Sequence, residues 1–150
     1  MLTADTLRWL DEGGDPRLCQ RYFELHLLDL AGYRPQLYRC LSCDHWLEPV
    51  ANRFDIAAGG LVCPSCCEQG QRGRAVSVGA QKVMRFLQRS VIGQCRRLVL
   101  SPALQDELEA LQGAYGAFCV TNFWEHFSPA REKAQAAAMA RAAKAAGLQH

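Results

Sequence analysis

No apolar run in this chain of 150 residues approaches the ~20 residues that a membrane-spanning helix needs. The opening stretch, MLTADTLRWLDEGGD, lacks the basic start and apolar centre of a secretory signal. Those two absences place the protein in the cytoplasm, where thiols stay reduced. A glycine-rich phosphate loop, a nucleophile elbow and a His-Glu-x-x-His pair are also missing, so no motif points to catalysis and the chain is read as non-enzymatic. Acidic residues are absent from Gln69 to Gln105, although the chain holds 15 of them against 17 basic ones. What remains is ordinary: 49% hydrophobic and 21% charged residues exclude a chain disordered throughout, and the length suits one domain with a small added module.

Cysteine, by contrast, is plentiful. Eight cysteines in a reducing compartment point to metal or redox chemistry before a disulfide framework. Four of them, in CLSCDHWLEPVANRFDIAAGGLVCPSC, form two Cys-x-x-Cys pairs: Cys40 with Cys43, and Cys63 with Cys66. Each pair presents two sulfurs at one point, and two such knuckles brought together supply the four thiolates of a tetrahedral Zn²⁺ site. NRFDI reads as one strand and LVC as another, with Gly59 and Gly60 supplying the reversal. So short a segment buries too little apolar surface to hold itself, which gives a metal its structural purpose. Four closed ligands leave no open position for water, so the expected cofactor is one structural Zn²⁺ per chain. An iron–sulfur cluster accepts the same ligands. Cys67 could replace Cys66, and His45 could replace a displaced thiolate. Cys19, Cys95 and Cys119 lie in helical surroundings and are expected to be small buried hydrophobes.

Helices surround this insertion. A first runs from about Thr3 to Glu12. A second starts at the Asp15-Pro16 cap, stops at Gly32 and is apolar on most sides, which suits the centre of a domain. A third begins at about Ser77 and ends at Gly93. At about 100° per residue, Arg85 and Arg89 lie within about 60° of Lys82, opposite Val83, Met84, Leu87 and Val91. A fourth starts at Ser101-Pro102, with Leu104, Leu108, Leu111, Tyr115 and Phe118 spaced by fours and threes. The expected fold is mainly α: a helical bundle over residues 1–127 with a four-cysteine zinc-ribbon-like finger inserted at about 38–70. The Ala-rich segment 128–150 has little bulk to pack and is expected to be a marginal helix or a frayed tail.

The stretches RYFELHLLDLAGYRPQLYRCLSCDHWL and FDIAAGGLVCPSC, followed by RRLVLSPALQDELEALQGAY, resemble the C-terminal region of the bacterial RecO family over about residues 5 to 115. The resemblance implies a helical domain with a zinc finger, with Cys40, Cys43, Cys63 and Cys66 at the finger positions. It also implies a DNA repair and recombination accessory that binds single- and double-stranded DNA and works with RecR. The acidic tail of the single-strand-binding protein, and indirectly RecA, would be further partners, in a cytoplasmic, nucleoid-associated setting without a membrane. The family's N-terminal OB-fold domain has no counterpart in these residues. Asp44 follows the first cysteine pair where the family usually has glycine, and GAFCVTNFWEHF replaces a basic helix end.

The acid-free window carries seven basic residues: Arg72, Arg74, Lys82, Arg85, Arg89, Arg96 and Arg97. They are candidates for DNA phosphates, or for an acidic-hydrophobic peptide docked on the same face. A solvated helix face is the bland alternative. Trp9, Phe23 and Phe86 are expected in the core, and Trp46 and Phe54 pack the finger against the helices. The aromatic cluster in TNFWEHF is expected to be buried against the second helix, although it could stack bases or dock a partner. Two rival functions stay open: a purely protein-binding module for RecR or the single-strand-binding protein, and a thiol-disulfide protein using Cys63 and Cys66.

Overall fold

The computed structural model describes residues 1–67, 73–127 and 129–145. Seven helices and three strands follow in the order α1 (Leu2–Asp11), α2 (Pro16–Leu30), β1 (Asn52–Asp55), β2 (Gly60–Val62), α3 (Pro64–Cys67), β3 (Arg74–Val76), α4 (Val78–Arg89), α5 (Ile92–Cys95), α6 (Pro102–Phe127) and α7 (Pro129–Ala145). The chain divides into two compact units, residues 1–116 and 117–150. Among the described residues no helix is long and apolar enough to cross a membrane.

In the first unit the caps act where the sequence places them. Asp15 accepts from the N–H groups of Arg17 and Leu18 ahead of α2, and Ser77 accepts from Ala80 ahead of α4. Gly32, at φ +83°, follows α2 in the left-handed conformation. α2 is less central than its sequence suggests. Leu18, Tyr22, Leu25 and Leu28 are buried, whereas Leu27 and Leu30 face solvent. α4 joins the core through Val83, Met84 and Leu87, and His26 on α2 donates from Nε2 to the Leu87 carbonyl at 2.9 Å. That bond satisfies Nε2 of the half-buried His26 ring. α4 stops at Arg89 rather than at Gly93, because Ser90 turns extended (φ −95°, ψ 150°); Gly93 falls inside α5 and Val91 is exposed.

The finger is a three-stranded antiparallel sheet in the order β2-β1-β3. Phe54 pairs with Leu61 on one side and Arg74 on the other. β3 had no signal in the sequence: three residues with Arg and Ala exposed lack the alternation that marks a strand, and β1 recruits them by pairing. Alternate residues of β1 point inward, and Phe54, fully buried, meets Tyr115 of α6 edge-on at 5.2 Å between ring centres. The Tyr115 hydroxyl donates to the Tyr33 carbonyl at 2.9 Å, which ties α6 to the turn after α2. Asn52 and Gln81, both buried, join the finger to α4: Asn52 Nδ2 donates to Gln81 Oε1 at 2.8 Å, and Gln81 Nε2 donates to the Val50 and Val76 carbonyls.

In the second unit Cys119 is buried, whereas Phe123 and Trp124 are 50% and 69% exposed. The expected burial of this aromatic cluster therefore does not hold for these two side chains.

Candidate metal centre

Two knuckles build the site, one a tight reversal at Cys40–His45 and the other the turn from Cys63 into α3. In the first, the Cys40 N–H donates to the His45 carbonyl and the Asp44 N–H returns to the Cys40 carbonyl, both at 2.9 Å. This tight reversal forces Asp44 to φ +59°, the one left-handed non-glycine residue among those described. Asp44 sits where the resembled family prefers glycine, and the backbone shows why. In the second knuckle the N–H groups of Cys66 and Cys67 both reach the Cys63 carbonyl at 3.2 Å. The chain ahead of Cys40 is pinned to β2, with the Gln36 N–H on the Gly59 carbonyl and the Leu61 N–H on the Gln36 carbonyl. The knuckles are thereby brought face to face.

The sulfurs of Cys40, Cys43, Cys63 and Cys66 all lie within 4.8 Å of one another, and Cys43 and Cys63 are 3.9 Å apart. A tetrahedron with metal–sulfur bonds of about 2.3 Å has edges of about 3.8 Å. The donor set therefore fits a tetrahedral ion. Cys67 is buried and turned toward the Val62 carbonyl, and exposed His45 contributes its backbone carbonyl to the first knuckle; neither belongs to the cluster. Cys19, Cys95 and Cys119 are buried thiols, as expected.

The electrostatics call for a cation. Burial alone would raise the Cys40 thiol, but N–H groups of Cys63, Cys43 and Ser42 outweigh it and bring the group down to about 6. Cys66 is pushed up to about 12, chiefly by the neighbouring Cys63 and Cys43 sulfurs. For Cys43 the His45 N–H favours the thiolate, yet the Cys40 sulfur and burial prevail and raise it. One thiolate is comfortable here, and further ones are opposed by it. A divalent ion reverses that opposition, and its ligands must then lose their protons.

The basic residues scatter more than the helical periodicity suggests. Lys82, Arg89 and Arg97 are exposed, and among the described residues they meet no carboxylate. Arg74 is exposed and reaches the Ala110 carbonyl, while Arg96 pairs with Glu12. Arg85 turns inward: its Nε donates to the Leu37 carbonyl at 2.8 Å, and the guanidinium lies 5.3 Å from the centre of the Tyr38 ring. It clasps the approach to the first knuckle. Arg72 lies outside the described residues. Trp46 does not pack the finger on the helices. It is 67% exposed, with Arg39 stacked 4.8 Å from its ring centre and paired to Asp44 at 2.9 Å.

The chain matches the family described as "Recombination protein O C terminal" over residues 1–121. It is 39% identical over 108 residues to the "DNA repair protein RecO" of Dehalococcoides mccartyi (strain ATCC BAA-2266 / KCTC 15142 / 195), covering 72% of this chain and 42% of that protein. Against the "DNA repair protein RecO" of Roseiflexus sp. (strain RS-1) it is 42% identical over 110 residues, covering 73% of this chain and 39% of the relative. The protein of the same name in Symbiobacterium thermophilum is 33% identical over 111 residues, 71% of this chain and 43% of its own length. No solved structure matches significantly. The chain thus spans about two fifths of the length of these relatives, and over its first 121 residues it belongs to the RecO C-terminal family.

Proposed function

We propose that this chain serves DNA repair and recombination as a non-catalytic binding domain, its finger closed by one structural Zn²⁺ on Cys40, Cys43, Cys63 and Cys66. The observation that carries the reading is the convergence of those four sulfurs, all within 4.8 Å, in a chain whose relatives bear the name DNA repair protein RecO. All four donors are thiolates, so no position is left for a reacting water. Single- and double-stranded DNA would be met by the exposed cations Lys82, Arg89 and Arg97, and by Arg74, which is also exposed. Partners on this reading are RecR, the acidic tail of the single-strand-binding protein and, indirectly, RecA.

Fluorescence anisotropy with a single-stranded oligonucleotide at several salt concentrations tests it. Three phosphate contacts give a log–log slope of about −2. Alanine at Lys82 and Arg89 should lower affinity and bring the slope toward zero; an unchanged slope would contradict the assignment of this face. A purely protein-binding role is favoured by one observation, an apolar groove of about 390 Å³ lined by Leu7, Leu10, Pro16 and Phe23 between α1 and α2. It suits the hydrophobic residues of an acidic-hydrophobic tail.

A further inference from the structure

An open cleft of about 570 Å³ beside the cluster is walled by Cys43, Cys63 and Cys66, with His45, Trp46 and Pro64 around them. Cys40 is not on that wall. It is 2% exposed, and its sulfur accepts from the Ser42 N–H at 3.4 Å and the Cys63 N–H at 3.3 Å. The other three cysteines are half-buried. A small solute entering the cleft therefore meets three of the four sulfurs and not the fourth. Cys67, the fifth cysteine of the segment, is buried and turned toward the Val62 carbonyl.

Two of the three accessible sulfurs face each other across the junction of the knuckles. Cys43 Sγ and Cys63 Sγ are 3.9 Å apart, although the residues are 20 positions apart in sequence. A further approach of about 1.9 Å would make a disulfide of ordinary length. The two kinds of bond open to these cysteines hold different things. A bond within either Cys-x-x-Cys pair closes a tiny loop and leaves the knuckles unjoined. A Cys43–Cys63 bond encloses β1 and β2 and joins the same two knuckles that a shared ion joins. The longer loop takes more entropy from the unfolded chain, and the folded finger already holds those two sulfurs together. Folding therefore favours the cross-knuckle bond.

We propose that the finger has a second closure, a Cys43–Cys63 disulfide formed when a hydroperoxide enters the cleft, which displaces the metal and keeps the knuckles joined. Hydrogen peroxide first oxidises one of the two sulfurs. The O–O bond breaks, an S–O bond forms as the sulfur gives up two electrons, and the hydroxide that leaves takes up a proton. The opposing sulfur then attacks the sulfenic acid; the S–S bond forms, the S–O bond breaks and the oxygen leaves as water. Two thiols and one peroxide thus give one disulfide and two waters. The ion loses two of its four ligands and departs, and a dithiol reductant with zinc restores the first closure. Displacement of the ion rests on the zinc reading above; formation of the disulfide rests on the sulfur geometry.

The test treats the full zinc-loaded chain with a small excess of hydrogen peroxide. Zinc release is followed with a chromophoric chelator, and disulfides are mapped by mass spectrometry after alkylation. The expected result is one zinc released and one disulfide per chain, joining Cys43 to Cys63, with Cys40, Cys66 and Cys67 recovered as alkylated thiols. In excess chelator the oxidised chain should unfold about 10 °C above the same chain after reduction. That difference should vanish in Cys43→Ser and persist in Cys67→Ser. The mapping uses the unaltered chain, so it decides the matter even where Cys43→Ser fails to fold. Any other pairing, above all Cys63 with Cys66, would overturn the proposal. So would sulfinic acid without a disulfide, or equal unfolding temperatures for the oxidised and reduced metal-free chains. Zinc content measured before peroxide is added tests the metal reading separately: a zinc-free chain that still forms the Cys43–Cys63 bond contradicts that reading and supports the second closure.

Discussion

Replacing Gly59 with alanine tests how the finger is locked to the helices. Gly59 sits at φ +75°, which alone costs an alanine about 1–2 kcal/mol. Its new Cβ would also stand 2.7 Å from the Tyr115 hydroxyl oxygen, closer than real contacts allow. The tyrosine has little room to yield: its ring meets Phe54 at 5.2 Å and its hydroxyl is engaged with the Tyr33 carbonyl at 2.9 Å. Breaking that hydrogen bond adds about 1 kcal/mol, for a total of about 2–3 kcal/mol. Tyr115→Phe alone forfeits the same bond and costs about 1 kcal/mol. In the double variant the clash disappears, so the two costs do not add, and the total stays about 1 kcal/mol below their sum. Urea unfolding followed by tryptophan fluorescence, at a fixed free zinc concentration, measures all three variants. Additivity within about 0.5 kcal/mol would refute the contact as the link between the hairpin and α6.

Asp44 and Arg85 make contrasting predictions. Asp44→Gly should be neutral to slightly stabilising in thermal unfolding, because relief at φ +59° offsets the exposed Arg39 pair, whereas Asp44→Val should cost about 1–2 kcal/mol. Arg85→Ala should cost about 1–3 kcal/mol by releasing the Leu37 carbonyl and Tyr38, while Lys82→Ala and Arg89→Ala stay within about 0.5 kcal/mol. Equal losses at all three positions would contradict the inward placement of Arg85. Zinc uptake should release at least about two protons near neutral pH, because Cys66 at about 12 and the raised Cys43 hold theirs in the metal-free chain. Cys40, lowered to about 6, is already largely ionised there. Protons compete with the metal, so affinity should rise with pH; calorimetry in buffers of different ionisation enthalpy reads the proton count, and zero release would contradict the cluster's electrostatics.

Spacing made the metal site legible, because two Cys-x-x-Cys pairs and a Gly-Gly reversal are local patterns with few geometric solutions. The caps at Asp15 and Ser77 were legible for the same reason. What escaped the sequence is set by tertiary partners. β3 exists only because β1 offers an edge, and α4 ends at Arg89 although a glycine stands four residues later. Helical periodicity placed Arg85 with Lys82 and Arg89, but periodicity fixes an angle around a helix and not what lies against it. The segment approaching Cys40 lies there, and its Leu37 carbonyl captures Arg85. Trp46 was misread because a large aromatic in a small module suggests core, whereas Arg39 supplies its cover from outside. The unpaired Asn52 oxygen has no sequence signal, since the amide's orientation is set by residues 48, 50 and 81, which accept from its Nδ2.

X-ray absorption at the zinc edge, on the chain purified from cells grown without added chelator, addresses the metal centre at its root. The account predicts one zinc per chain with four sulfur neighbours at about 2.3 Å and no nitrogen or oxygen in the first shell. A shell containing nitrogen or oxygen, or a metal-free chain with Cys40, Cys43, Cys63 and Cys66 oxidised to disulfides, would contradict it.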